Sequence, residues 1–411
     1  MSMKLLIVSA LEPWSMGKGV GAPSLYETLK AYAESPHWDV TFVTTEKSAN
    51  FGGSHEVNID VGLPNLRVLR YSAENFSWVR GRLKSKLERL WGLKLALKNH
   101  LKDLLSRESF DVLYCYEEAA INLIYSLPKS YKDDLLLVNR YQGTILGAHY
   151  NRFFHCLRKY ESWSALRAPG DLFIMTDDGT FGYQALKYWN KNSNDQNILF
   201  LRNGIDLSIS YHDVSRDQTF INYGLDPNRF YAITISRLAG WKRVDRAITL
   251  VKNMKDKGML MHLLICGDGE VRHKLEDLVK YYGIQKNVSF LGSRDRKEIK
   301  DLLKSADLFL SLYDVSNCGN PLFEAQLAGK VTITLNNGGT PSVIQNKKNG
   351  LLLQPDDSEA LVNATESVMV DHSLRHKLAQ NALIWGQDNM KSWQERMNIE
   401  MSALLEFVDR A

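Results

Sequence analysis

Short runs of apolar residues alternate along this chain with longer stretches in which apolar residues recur at helical spacing. The alternation is typical of a parallel sheet, because its strands are buried on both faces and the connecting helices on one. In the first half, strands are predicted at 5–9, 40–44, 67–71, 112–115, 135–139, 172–175 and 197–201. Helices are predicted between them, including 24–35 and 83–106.

The alternation stops in a polar stretch at 203–228, which we interpret as an interdomain linker because it has no sustained apolar period. Strands are then predicted at 231–235, 261–266, 288–291, 308–312 and 331–335, with helices at 244–254, 270–282, 297–306 and 321–327. The pattern predicts an α/β protein of two Rossmann-like domains, 1–205 and 206–386. A final amphipathic helix at 387–411 is predicted to pack back on the first domain.

The bulk composition agrees with this organisation. A chain of 411 residues exceeds the size of a single core, and its net charge of +4 is too small to indicate a nucleic-acid partner. Its four cysteines lack metal-ligand spacing, which favours a reducing compartment. No apolar run has the length of a signal-peptide core or a membrane-spanning helix. We therefore expect a cytoplasmic location, with any membrane contact peripheral and on the inner face.

A glycine-rich turn, Gly-Lys-Gly-Val-Gly, follows the first predicted strand. Glycine lets a backbone approach a phosphate closely, so Gly19 and Gly21 are candidate phosphate-binding residues. A mobile surface loop is the alternative. A dinucleotide-binding oxidoreductase is a further alternative, because Glu46 ends the second strand, although the spacing is not Gly-x-Gly-x-x-Gly.

Two cations, Arg237 and Lys242, lie in the turn after the first strand of the second domain. Ligands of such folds bind beyond the carboxyl ends of the strands, so both are placed to meet an anion. Arginine clamps two phosphate oxygens and lysine adds a mobile charge, which together would stabilise a departing diphosphate. Both side chains are expected on an exposed turn. An ordinary solvated basic turn is the alternative.

A small polar loop follows the predicted strand at 308–312 and leads into a helix. Pro321 suits the first turn of that helix, where its missing N–H is not needed. The amides from Asn320 to Phe323 are expected to hold an anion, and Glu324, one turn further, to accept hydrogen bonds from a ribose diol. A carboxylate that only complements the helix dipole is the alternative for Glu324.

Together these segments resemble the retaining GT-B glycosyltransferases of family four, most strongly between residues 200 and 356. The family's diphosphate-binding Arg-x4-Lys pair matches Arg237 and Lys242, and the ribose-binding second Glu of its Glu-x7-Glu motif matches Glu324. Its Gly-Asp-Gly turn, Phe-Leu-Gly turn and Asn-Gly-Ile-Asp segment match residues 267–269, 290–292 and 203–206. The resemblance implies that the donor is bound by Gly19, Gly21, Gly267, Leu291, Gly292, Ser316, Asn317, Cys318, Gly319, Asn320, Pro321 and Glu324. Arg237, Lys242 and Glu324 are the predicted catalytic set, with Glu324 as the ribose ligand.

The chain departs from the family at three positions around the donor sugar. Ser316 stands where the family has the first Glu of its Glu-x7-Glu motif. Gln142 stands at the position of the family's acceptor-loop histidine, and Ser342 at the position of a Glu that follows a Gly-Gly turn. Asp314 and Asn317 are the alternatives for replacing the missing carboxylate. The departures put the donor sugar in question and leave the nucleotide-diphosphate part of the prediction intact.

The resemblance implies two domains that face each other across a cleft and a retaining, hexosyltransferase-type enzyme. The enzyme would move a sugar from a nucleotide-diphosphate sugar to a glycan, lipid-linked or small-molecule acceptor near Gln142 and Gly143. Because cations stand where other transferases use an Asp-x-Asp metal loop, we predict no metal and no cofactor; the nucleotide sugar is a substrate. A nucleotide-sugar-binding protein that has lost catalysis is the alternative, given Ser316 and Gln142.

Basic and apolar residues alternate between Trp78 and Arg107, including a second tryptophan, Trp91. Such a helix can lie on anionic lipid, which gives a candidate peripheral membrane contact. The same pattern fits a helix that packs on a sheet and exposes a basic face, and this is the interpretation that we favour.

Overall fold

The computed structural model describes residues 2–11, 24–46, 63, 65–72 and 93–409. The chain divides into two compact units. The first contains residues up to 177, 181–202 and the C-terminal residues from 394, and the second contains 178–180 and 203–393. Each unit is built on its own parallel sheet with connecting helices, which confirms the prediction of two Rossmann-like domains.

Within the described residues, the sheet of the first unit has seven strands in the order β3-β2-β1-β4-β5-β6-β7. Their bounds are Met3–Val8 (β1), Trp38–Glu46 (β2), Leu66–Ser72 (β3), Val112–Tyr116 (β4), Leu136–Tyr141 (β5), Leu172–Thr176 (β6) and Ile198–Leu201 (β7). All six neighbouring pairs of strands in this order are parallel. The predicted strands therefore form, with ends that differ by a few residues.

Helices connect the strands of the first unit. They are Ser24–Glu34 (α1), Leu93–Arg107 (α2), Glu118–Ile121 (α3), Lys129–Asp133 (α4), Phe153–Arg158 (α5), Tyr160–Leu166 (α6) and Gly182–Trp189 (α7). The helix predicted at 83–106 is described from Leu93 onward. The rest of that helix, including Trp91, lies outside the described residues, as do Trp78 before it and Gly19 and Gly21 of the glycine-rich turn.

The second unit has a six-stranded parallel sheet in the order β10-β9-β8-β11-β12-β13. Its strands are Phe230–Ile235 (β8), Met261–Cys266 (β9), Val288–Gly292 (β10), Leu308–Ser311 (β11), Val331–Leu335 (β12) and Leu351–Leu353 (β13). Its helices are Arg216–Asn222 (α8), Val244–Asp256 (α9), Arg272–Tyr281 (α10), Arg296–Ser305 (α11), Asn320–Leu327 (α12), Ser358–Val370 (α13) and His372–Asn389 (α14). Strand β13 and helices α8, α13 and most of α14 were not predicted.

The polar stretch at 203–228 is more ordered than a linker. Helix α8 starts at a capping residue, Ser215, whose Oγ accepts a hydrogen bond from Gln218 N. It buries Phe220 completely, and the Phe220 ring stacks on Tyr231 with 4.0 Å between centroids. The stretch therefore belongs to the core of the second unit, and its interpretation as a linker is wrong.

The two segments that connect the units at 202–205 and 391–394 run side by side. Ile205 N donates to Lys391 O at 2.9 Å. A Cβ on Gly204 would lie 2.4 Å from Trp393 Cα, so the glycine of the Asn-Gly-Ile-Asp segment is required by this close backbone approach.

The final helix, Trp393–Val408 (α15), is separate from α14, which ends at Asn389, so the single helix predicted at 387–411 is two helices. Residues from 394 belong to the first unit. Within α15, Glu400 is fully buried and pairs with Arg396. Its Oε1 also accepts hydrogen bonds from Tyr114 Oη at 2.7 Å and Tyr32 Oη at 3.2 Å, and thus ties the helix to β4 and α1.

Candidate functional site

The strand order of the second unit creates a topological switch point between β8 and β11. Strand β9 lies on one side of β8 and β11 on the other, so the loops that follow β8 and β11 leave the same sheet edge next to each other. Ligands of doubly wound folds bind at this place. Asp314 N donates to Trp241 O at 3.0 Å, which joins the two loops.

Arg237 lies in the loop after β8, as predicted from the sequence. Ser236 N bonds to Cys266 O at 3.0 Å, and a Cβ on Gly267 would lie 1.9 Å from Ser236 O. Gly267 (φ +131°) therefore lets the end of β9 run against this loop. The Arg237 side chain is 75% exposed and pairs with Glu270 at 3.2 Å. Exposed pairs contribute at most about 1 kcal/mol, so an anionic ligand can recruit the guanidinium.

Lys242 lies five residues further, in the 3-10 turn Gly240–Lys242. Its ammonium lies 4.0 Å from the centroid of the Trp241 ring and 3.8 Å from that of Tyr313. Burial lowers the pKa of Lys242 to about 8, against the opposing effect of the Asp178 carboxylate. The expectation of an exposed lysine is therefore wrong, because Lys242 is half-buried against the two rings.

The loop after β11 is fixed by its own buried side chains. Asn317 is 1% exposed, and its Oδ1 accepts hydrogen bonds from Ser311 Oγ at 2.8 Å and Tyr313 N at 3.0 Å. Ser316 Oγ donates to Asp178 O at 2.6 Å, and Cys318 is 5% exposed in the core. These three side chains hold the loop, and Gly319 N closes it by donating to Asn317 O at 2.9 Å.

Asn317 and Asp314, the two alternatives for the missing carboxylate of the Glu-x7-Glu motif, both already contact other side chains. The Asn317 amide is committed to the loop, with its Nδ2 donating to Asn337 Oδ1 at 2.8 Å. Asp314 pairs with Arg243 at 3.2 Å and with Arg246 at 2.9 Å. Both groups therefore serve the conformation of the loops.

The amino end of α12 offers fewer amides than expected. Pro321 stands in its first turn and has no N–H. The amides of Leu322 and Phe323 both donate to Gly319 O, at 2.9 and 3.3 Å. The expectation that the amides from Asn320 to Phe323 hold an anion together is corrected, since the amides of Leu322 and Phe323 already close the first turn of the helix.

Glu324 lies one turn into α12, as predicted. Burial raises the pKa of its carboxyl to about 7; the nearby Arg296 and Lys300 oppose this rise and Asp206 adds to it. The carboxyl is therefore partly protonated at neutral pH, and a ligand that donates hydrogen bonds to its charged form draws the proton off.

The Phe-Leu-Gly turn lies at the same sheet edge. Gly292 (φ +71°) accepts a hydrogen bond from Gly267 N at 2.8 Å, and Leu291 O accepts one from Arg294 Nε at 2.7 Å. The structure thus brings Arg237, Lys242, the start of α12 and the ends of β9 and β10 to one edge of the second unit.

The acceptor-side candidates lie at the sheet edge of the first unit. Gln142, directly after β5, accepts a hydrogen bond from Ser24 Oγ at 3.3 Å and donates to Tyr116 Oη. The adjoining Gly143 has a φ of +93°, a conformation that favours glycine.

Sequence reasoning missed Glu117, which directly follows β4. Strands β1 and β4 are neighbours at the switch point of this sheet. Glu117 has a φ of +74°, which is strained for a residue with a side chain. Burial raises the pKa of its carboxyl to about 7, with hydrogen bonds from the Ala119 and Ala10 amides opposing. Its place after a strand was visible in the sequence, but its backbone conformation was not.

No group of three or more metal-binding side chains occurs within the described residues. In the same part of the chain, no helix is both long enough and apolar enough to cross a bilayer.

Residues 215–385, most of the second unit, match the model of the family Glycosyl transferases group 1. The chain is 26% identical over 144 residues to 2-deoxystreptamine N-acetyl-D-glucosaminyltransferase of Niallia circulans, covering 35% of this chain and 37% of that protein. It is 29% identical over 169 residues to N-acetyl-alpha-D-glucosaminyl L-malate synthase of Bacillus anthracis, covering 41% and 44%. The matches thus span less than half the length of these two relatives.

Solved structures match nearly the whole chain. Anabaena HepE in complex with UDP has a TM-score of 0.69 at 16% identity and covers 99% of this chain and 100% of its own. Sucrose-phosphate synthase from Thermosynechococcus elongatus has a TM-score of 0.74 at 18% identity and covers 98% of both chains. At these identities the likeness shows the fold, which is the two-domain GT-B fold predicted from the sequence.

Proposed function

We propose that this protein is a retaining, hexosyltransferase-type glycosyltransferase that uses a nucleotide-diphosphate sugar as donor. The observation that carries the proposal is the convergence of two cations, Arg237 and Lys242, with the half-buried carboxyl of Glu324 at the β8–β11 switch point. This switch point lies in the part of the chain that matches the Glycosyl transferases group 1 model. HepE, which shares the fold, has been crystallised with UDP and with UDP-glucose, which supports a nucleotide sugar as the donor.

The diphosphate would lie between Arg237, Lys242 and the start of α12. Arg237 exchanges its exposed partner Glu270 for phosphate oxygens. Lys242 is held by its two neighbouring rings, so little rotamer freedom is lost when the diphosphate binds. Glu324 accepts hydrogen bonds from the ribose diol and takes no part in proton transfer to the sugar.

In the transfer step, an acceptor oxygen forms a bond to the anomeric carbon of the sugar on the face from which the diphosphate leaves. The bond between that carbon and the diphosphate oxygen breaks, and the departing phosphate takes the acceptor proton. Arg237 and Lys242 stabilise the charge that develops on the leaving group. No protein nucleophile is needed, which agrees with a serine at position 316, and no metal or cofactor is invoked. The acceptor, a glycan, lipid-linked or small molecule, would approach Gln142.

A screen of nucleoside diphosphates and nucleotide sugars by thermal shift tests the proposal. A ligand at 100 times its Kd stabilises the fold by about 2.7 kcal/mol, so the matching donor raises the melting temperature measurably. Arg237→Ala should reduce the shift to about half or less at the same ligand concentration, and Glu270→Gln, its matched control, should keep it. If no nucleotide raises the melting temperature of the wild type, the proposal is wrong.

A second candidate is a nucleotide-sugar-binding protein without turnover. Ser316 favours it, because its hydroxyl donates to the backbone of Asp178 where the family has a carboxylate. Release of nucleoside diphosphate from the stabilising donor, by transfer or by slow hydrolysis, distinguishes the two. Binding without any release over hours would establish the second candidate.

A further inference from the structure

Four large apolar side chains are exposed on the surface of the first unit between residues 153 and 160. Helix α5 exposes Phe153, Phe154 and Leu157 to 53%, 77% and 49%, and Tyr160 next to it is 62% exposed. We call these four residues the aromatic patch. Large apolar side chains clustered on a surface mark an interaction site, whereas single ones do not.

The aromatic patch is presented by a helix that is anchored from its inner side. Cys156, on the opposite side of α5, is fully buried, and its thiol donates to Tyr150 O at 2.9 Å. The Phe153 ring meets Trp163 of the core edge to face, with 5.6 Å between centroids. The outward side chains of Phe154 and Leu157 are therefore not needed to hold the helix in place.

The surroundings of the aromatic patch are basic. Between residues 145 and 167 the chain has four Lys or Arg side chains and one acidic one, Glu161. Arg152, Arg158 and Lys159 are exposed directly beside the patch, and we call them the basic rim. A second copy docked here about a twofold axis would set cation against cation, whereas an anionic surface neutralises the rim.

We propose that the aromatic patch and the basic rim dock this protein on an anionic lipid bilayer. Aromatic rings favour the headgroup level of a membrane, and peripheral binding combines buried apolar area with attraction between cations and anionic lipid. Ile145, 59% exposed, lies three residues after Gln142. If the proposed function holds, docking here brings the acceptor loop towards the lipid headgroups and selects a lipid-linked acceptor.

Co-sedimentation with vesicles tests the docking itself, without any donor or acceptor. We expect the wild type to bind vesicles of equal parts phosphatidylglycerol and phosphatidylcholine, and to bind pure phosphatidylcholine vesicles much more weakly. Phe154→Ser combined with Leu157→Ser should lower the partition at least about tenfold, because two apolar side chains no longer insert. Each rim cation replaced by Gln should lower it by about fivefold.

The matched control carries Tyr281→Ser with Leu260→Ser, two apolar residues of the second unit that are exposed to 84% and 67%, and should bind as the wild type does. An unchanged melting temperature in both double variants shows that the fold is intact. The proposal is overturned if the wild type does not bind anionic vesicles, or if the Phe154→Ser/Leu157→Ser variant binds them as strongly as the wild type does. It is also overturned if the wild type is a dimer that this variant dissociates, since a second copy then covers the patch. Loss of vesicle binding with nucleotide binding retained would leave the proposed function untouched.

Discussion

Glu324 should make the binding of UDP depend on pH between 6 and 8. Burial raises the pKa of its carboxyl to about 7, so it is about nine-tenths ionised at pH 8 and about one-tenth ionised at pH 6. A ribose diol donates hydrogen bonds only to a group that can accept them, and the ionised carboxylate accepts them best. UDP affinity should therefore fall about tenfold from pH 8 to pH 6, which corresponds to ~1.4 kcal/mol.

Two other groups titrate in this range and must be separated from Glu324. The terminal phosphate of UDP takes up a proton near pH 6, as phosphate monoesters do. Lys242, with a pKa of about 8, gains charge as the pH falls, which strengthens diphosphate binding and opposes the loss. Both effects are present in Glu324→Gln, so the ratio of the two proteins' affinities at each pH isolates the carboxyl.

Titration calorimetry at pH 6, 7 and 8 in two buffers of different ionisation enthalpy provides the measurement. The wild type should release about half a proton on binding at pH 7, because the ligand lowers the pKa of Glu324. The affinity of Glu324→Gln should lack the tenfold loss, and 2′-deoxy-UDP should remove most of the loss from the wild type. Equal pH slopes in the wild type and Glu324→Gln would refute the assignment of Glu324 to the ribose.

Three further outcomes are expected. Arg237→Ala should weaken UDP binding by about ten- to a hundredfold, because one charged hydrogen bond to the ligand is lost. The melting temperature of the free variant should not change, because the Arg237 side chain is exposed. If the variant binds UDP with the affinity of the wild type, Arg237 does not belong to the site. Transferase activity should survive EDTA, and loss on chelation with recovery on adding manganese or magnesium would contradict the metal-free mechanism. Glu400→Gln should lower the free energy of unfolding, measured by urea denaturation, by about 3–5 kcal/mol. The reason is that the buried Arg396 and Arg140 lose the negative charge of the Glu400 carboxylate. Asp256→Asn, which breaks an exposed ion pair, is the control, and an equally small change in both variants would contradict the reasoning.

The sequence predicted strands better than short helices. Strand β9 has the predicted bounds, because its six residues, all apolar except His262, lie between polar segments and are all buried. Strand β13 has only three residues, which is too short to show a period. Helix α8 buries only Thr219 and Phe220, so its apolar period is lost among polar neighbours.

The site was predictable as far as it depends on position along the chain. Arg237 follows a strand, and its exposure follows from that place. The surroundings of Glu324 were not predictable, because Asp206, Arg296 and Lys300 approach it from distant parts of the sequence. The burial of Glu400 was not predictable either, because its helix has an amphipathic sequence in which a charged residue is expected to be exposed. Its hydrogen-bond partners, Tyr32 and Tyr114, lie nearly 300 residues or more away in the sequence.

The return of the C-terminal helix to the first unit has a consequence for the order of events during synthesis. Residues 203–393, nearly all of the second unit, leave the ribosome as one stretch and contain their whole sheet. The first unit, although synthesised earlier, lacks Glu400 until the last part of the chain emerges, and Arg140 is fully buried in its core. The first unit therefore cannot be completed before the second has been synthesised, although its sheet comes first in the sequence.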